Sequence, residues 1–134
     1  MAQRAKVLEF AAMVDRSGSF AALGGEPVHR NADIAAEHLL LAALVRCSLT
    51  SLRYHARRLG AGAVGSGTAH GTVTKRESDG RYAFVDIQAE FEVEVEPPPD
   101  DLHALLERTE RDCFIAASLT AKPTYRWTVN GLPL

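Results

Sequence analysis

Residues 35–59 read AAEHLLLAALVRCSLTSLRYHARRL, and this spacing predicts the longest helix of the chain. Its first half, Leu39 to Val45, is apolar almost all the way round. A helix without a polar face has no side to give to water, so it should be a buried central element. Its second half keeps Leu49, Leu52, Ala56 and Leu59 apolar on one side and gathers Arg53, His55, Arg57 and Arg58 toward the end. Cations there complement the negative pole of the helix, and Gly60 is a natural stop. They read as a solvated face in preference to an anion site. Asp33 is placed to cap the start, and Glu37 falls in the first turn, where a carboxylate suits the positive pole. Cys47 sits in the middle. A cysteine in a buried helix is most often a small apolar core residue; the sharper reading makes it the reactive group.

Working outward, 134 residues fit one domain over 1–134 with a core of its own. A net charge of -2 argues against a general nucleic-acid binder, whose affinity rests on neutralising phosphates. No apolar run reaches the ~18 residues that span a bilayer. Glu9 interrupts the apolar core that a signal peptide would need, so the expectation is a cytoplasmic protein. Cys47 and Cys113 are too few for a disulfide scaffold. They are two unrelated core thiols, a transient redox pair, or a nucleophile and a bystander. No spacing suggests a metal site, and no cofactor is expected.

Upstream of the helix, residues 5–15 read as a strand, Arg16 to Ser19 as a hairpin turn, and Phe20 to Leu23 as a return strand. A loop follows from Gly24 to Asp33, with a short extended piece around Val28 and with Arg30 inside it. Downstream, Gly60 to Gly65 spells GAGAVG. It matches G-x-G-x-x-G by letter but follows a helix and leads into a strand, the wrong context for a dinucleotide fingerprint, so it reads as a flexible connection. Residues 68–76 form a strand, and Glu77 to Gly80 a hairpin turn. Ala83, Val85, Ile87, Ala89, Phe91, Val93 and Val95 then alternate with polar and acidic residues, giving a strand with one face on a core and one in water.

Three prolines end that strand. Asp100 should cap a second helix over residues 101–112, and Cys113 opens a buried turn or short helix, CFIAASL. Tyr125, Trp127 and Val129 mark a last strand. The order is that of an α+β domain, an antiparallel sheet packed on a long central helix. The apolar start of that helix needs more cover than one thin sheet provides, which suggests a second subunit.

With these residues in place, the chain resembles the OsmC/Ohr family, the osmotically induced and organic hydroperoxide resistance proteins. The resemblance rests on the stretch 35–60, with a Glu ten residues before the first Cys, and on LERTERDCFIAASL, with a second Cys about sixty-five residues after the first. It runs from about Arg16 to Val129. It implies an OsmC-like fold in an intertwined homodimer with active sites at the interface. It also implies a thiol peroxidase acting on organic hydroperoxides and more weakly on hydrogen peroxide, reduced in turn by a dithiol or a lipoylated protein. Cys47 would be the peroxidatic cysteine, Cys113 the resolving one, and Glu37 the glutamate. The arginine that pairs with the glutamate and the thiolate falls on Arg16 or on Arg30. Two positions depart from the family, where proline is usual: Ala36 before the glutamate and Phe114 after the second cysteine.

The chemistry agrees with those residue types. A free cysteine is only a few per cent thiolate at pH 7, and burial lowers that further, so a peroxidatic cysteine needs a cation nearby. Cys47 would attack a peroxide oxygen, release the alcohol and become a sulfenic acid; Cys113 would condense with it. An apolar surround would favour alkyl or fatty hydroperoxides. Glu37 and Cys47, ten residues apart on one helix, are separated by about 15 Å of rise. If both serve one site, Glu37 comes from the partner subunit or the helix breaks. Two other readings remain open at this point: a non-catalytic dimer that binds an apolar ligand, and a redox sensor using the same cysteine pair.

Overall fold

The computed structural model describes residues 5–29 and 31–134. They divide into two compact units, one ending at Ala35 and one running from Ala36 to Leu134. In the first unit, β1 (Ala12–Val14) pairs antiparallel with β2 (Phe20–Ala22), and Phe20 also bridges to Val28. The turn between the strands is held by Asp15, whose carboxylate accepts from Ser17 N, Ser17 Oγ and Ser19 N. The expected first strand is therefore shorter than its sequence pattern. Leu8 and Phe10, which a strand over residues 5–15 would place on one face with Ala12 and Val14, lie before β1 and are exposed.

The second unit opens with α1 (Ala36–Arg58). It starts two residues later than a cap at Asp33 requires, so the cap position falls to Ala35. Next come β3 (Gly62–Lys75), β4 (Tyr82–Glu96), α2 (Leu102–Arg111), α3 (Phe114–Ser118), β5 (Thr124–Val129) and the two-residue β6 (Leu132–Pro133). The sheet runs β3-β4-β5-β6. It is mixed rather than purely antiparallel, because β5 lies parallel to β4. The α2–α3 segment carries the chain back across the sheet, as a parallel connection demands. Asp101 caps α2 in place of Asp100, its side chain accepting from Ala104 N at 3.0 Å.

The GAGAVG stretch is not a flexible connection. Residues from Gly62 onward are the first part of β3, paired residue by residue with β4. Small residues let the neighbour's side chains lie over the backbone. A Cβ on Gly67 would sit 2.7 Å from the Phe91 ring, and one on Gly65 would sit 2.6 Å from Val93 Cγ1.

The alternation of β4 holds from Ile87 to Val95, which are buried at every second position. It fails at Val85. The register passes from Thr72 opposite Asp86 to Val73 opposite Phe84, so Val85 is an extra residue in a bulge. The bulge reverses the faces before it: Phe84 packs against the core and Val85 is exposed.

The core joins the inner face of β4 and β5 to one side of α1 and to α2. Leu44, Leu52, Ala56, Ile87, Phe91, Val93, Leu105, Trp127 and Val129 make up most of it. Phe91 and Trp127 stack with centroids 4.4 Å apart, and Trp127 Nε1 donates to Glu110 Oε2. On α1 the buried residues are Leu44, Ser48, Ser51, Leu52 and Ala56. The apolar residues on the other side keep solvent contact, with Leu39 39% exposed. Within the Ala36–Leu134 unit the helix is thus central but covered on one side. Among the described residues, no helix is long and apolar enough to cross a membrane.

Candidate active site

Cys47 and Cys113 meet. Cys47 is half-buried on α1, and Cys113 is fully buried at the N-cap of α3. The C-terminal end of α2 delivers Cys113 to that place. Asp112, the C-cap of α2, accepts a 2.8 Å hydrogen bond from His55 Nε2 on α1 and two bonds from Arg111. That clasp ties the residue before Cys113 to the helix that carries Cys47.

Burial pushes the Cys47 thiol above its ordinary pKa. The backbone N–H groups of Ile115 and Phe114 pull it back, and the Cys113 side chain adds to the rise. A proline at 114 would have no N–H to offer Cys47. No arginine is among the main groups that act on this sulfur in the Ala36–Leu134 unit.

Of the other expected site residues, Glu37 lies exposed in the first turn of α1, on the same unbroken helix as Cys47. The helix does not break between them. Arg16 occupies the hairpin turn of the N-terminal unit and is exposed. Arg30 lies outside the described residues. Ala36 and Phe114, where the family resemblance would have prolines, are each the first residue of a helix. That position tolerates proline because its N–H has no partner within the helix.

Two residues not singled out in the sequence join the thiols. Ser48 Oγ donates to Cys113 Sγ at 3.5 Å and shares a 3.0 Å hydrogen bond with Tyr125 OH on β5. Burial, opposed by the hydrogen bond shared with Ser48, raises the Tyr125 hydroxyl well above the usual phenol range, so it stays protonated. The sequence held one signal for Ser48. It is a hydroxyl on the stripe Leu44, Ser48, Leu52, which a helix period of 3.6 places on one core-facing side. Nothing local marks Tyr125, which comes to the site only through the β4–β5 pairing.

A cavity of about 620 Å³ lies elsewhere on α1. It is lined by α1 and β3, with Leu41, Val45, Leu49, Arg46 and Arg53 among its residues, and Cys47 does not line it.

Comparison with known proteins gives a consistent answer about the fold. An OsmC-like protein of unknown function from Vibrio cholerae superposes with a TM-score of 0.77 at 15% identity, over 91% of this chain and 100% of that one. The organic hydroperoxide resistance protein OhrB of Bacillus subtilis matches with a TM-score of 0.56 at 15% identity, over 91% and 96% of the two chains. An organic hydroperoxide resistance protein from Elizabethkingia anophelis, with thiocyanate bound, matches with a TM-score of 0.61 at 15% identity, over 92% and 96%. Comparison with curated proteins yields no match. The family model for OsmC-like protein matches residues 29–128, most of the chain, and with the fold and the paired cysteines already described it follows that the chain belongs to the OsmC-like family.

Proposed function

We propose that this protein is a thiol-dependent peroxidase that reduces organic hydroperoxides to alcohols. The observation that carries the reading is the meeting of Cys47 on α1 with Cys113 at the start of α3, two thiols far apart in sequence that act on each other in the fold. The Cys47 thiolate attacks the outer peroxide oxygen, the O–O bond breaks, and the alcohol leaves with a proton. Cys47 is left as a sulfenic acid. Cys113 then forms the Cys47–Cys113 disulfide with loss of water, which protects Cys47 from irreversible oxidation. An external dithiol, a small one or a lipoylated protein, returns both to thiols.

The reading needs a homodimer. Leu39, Leu40, Ala43 and Cys47 share the side of α1 that the chain's own core leaves partly open. A second copy on that side covers the apolar residues and brings its Glu37 toward Cys47. The activating cation is Arg16 or Arg30. The test is consumption of cumene hydroperoxide by purified protein with dithiothreitol: wild type consumes it and Cys47→Ser does not. Wild-type protein that consumes none overturns the reading.

One observation favours a second reading, a redox sensor using the same pair. Cys47 is raised, not lowered, by its surroundings in the Ala36–Leu134 unit. A reversible Cys47–Cys113 disulfide formed without catalytic turnover supports the sensor.

A further inference from the structure

We propose that Ser48, held by Tyr125, positions Cys113 and assists its attack on the oxidised Cys47. The inference rests on the proposed function only for the form in which Cys47 is oxidised.

The first ground is the direction in which Ser48 points. A helical hydroxyl ordinarily turns back to the carbonyl four residues earlier. Thr50 does so to Arg46 O, Thr109 to Leu105 O and Ser118 to Phe114 O. Ser48 instead donates across to another element, as Ser51 does to Thr109 O, but its acceptor is a sulfur, 3.5 Å away. It is fully buried, on a stripe where alanine would fill the space without a polar group to satisfy.

The second ground is the polarity of the chain of bonds. Ser48 gives its one proton to Cys113 Sγ, so in the shared Ser48–Tyr125 bond the phenol is the donor. Two hydroxyl dipoles thus align toward the sulfur, and such a series strengthens its members. Tyr125 is fixed for this task by its ring, stacked on Phe91 at 5.8 Å. Its proton is held firmly across the working pH range.

The third ground is the requirement of the step. When Cys113 attacks, its thiol proton departs and negative charge builds on a sulfur shut off from water. The S–S bond forms, the S–O bond of the Cys47 sulfenic acid breaks, and the leaving oxygen takes up a proton as water. Cys113 sulfur is oxidised and Cys47 sulfur is reduced. A hydroxyl already directed at Cys113 Sγ stabilises the developing charge and costs no reorganisation.

The test bypasses peroxide. With 5,5′-dithiobis(2-nitrobenzoate), Cys47 forms a mixed disulfide and releases one thionitrobenzoate. Cys113 then displaces the second in a first-order phase that reports its attack alone. In Ser48→Ala we expect the ratio of second-phase to first-phase rate to fall about tenfold, the scale of one hydrogen bond to a charged group. Its pH profile should move to higher pH. Tyr125→Phe should show a smaller fall, and Ser48→Thr should restore the second phase. An unchanged ratio in both Ser48→Ala and Tyr125→Phe, or equal slowing of both phases, overturns the proposal, as does a wild-type protein without a second phase. If the second phase behaves as expected while wild type consumes no hydroperoxide, the relay stands and the peroxidase reading falls.

Discussion

Glu37 and Cys47 stand on one unbroken helix, Ala36–Arg58, and cannot meet within a chain. Ten residues of α-helix separate them by about 15 Å. A site that uses both therefore uses two chains. Mixed dimers of Cys47→Ser and Glu37→Gln subunits contain one site with both wild-type groups. They should recover about half of the wild-type hydroperoxide consumption, although each variant alone is inactive or nearly so. If both groups acted within one chain, mixing would recover nothing. Ala43→Glu, on the open side of α1, should shift the protein to monomer in sedimentation and abolish consumption.

Cys47 is pushed above the ordinary thiol range by burial, so the Ala36–Leu134 unit by itself does not make it a good nucleophile. A neighbouring arginine lowers such a thiol by roughly 1–3 pH units. Iodoacetamide reacts with thiolate, so its rate at Cys47 rises with pH through the pKa of that group. Arg16→Ala should move the midpoint upward. If it stays in place and Arg30→Ala moves it, Arg30 is the activating residue.

Phe114 N–H acts on Cys47 from the first position of α3. Phe114→Pro keeps a residue that this helix position accepts but removes the donor. The side chain it replaces is 60% exposed, so little packing is lost. Alkylation of Cys47 should require higher pH in this variant while the melting temperature changes by only a few degrees.

The glycines of β3 are there for their neighbours. A Cβ at Gly65 would lie 2.7 Å from Val93 Cα, which is backbone and cannot step aside. At Gly67 it would meet the Phe91 ring, which is itself packed against Trp127. Gly65→Ala and Gly67→Ala should each destabilise the fold by about 1–3 kcal/mol in urea unfolding, with Gly65 the costlier.

The sequence by itself determined the long helix, its Arg-rich end, the acidic-faced strand β4 and, as a turn or short helix, the segment that opens at Cys113. Each is encoded by a local period or by a turn residue, and locality is what a sequence displays. It also determined that Glu37 and Cys47 lie too far apart to touch, because helix rise is fixed. The family resemblance pointed to the cysteine pair. Only the tertiary structure decided the rest. The bulge at Val85 reverses faces that alternation alone would extend, and β5 runs parallel to β4 because of where α2 and α3 return the chain. From Gly62 onward GAGAVG is strand, paired with β4, and Val93 leaves no room for a side chain at Gly65. Ser48 and Tyr125 join the thiols through strand pairing and a cross-element hydrogen bond, contacts between residues 77 apart that leave no periodic trace in the chain.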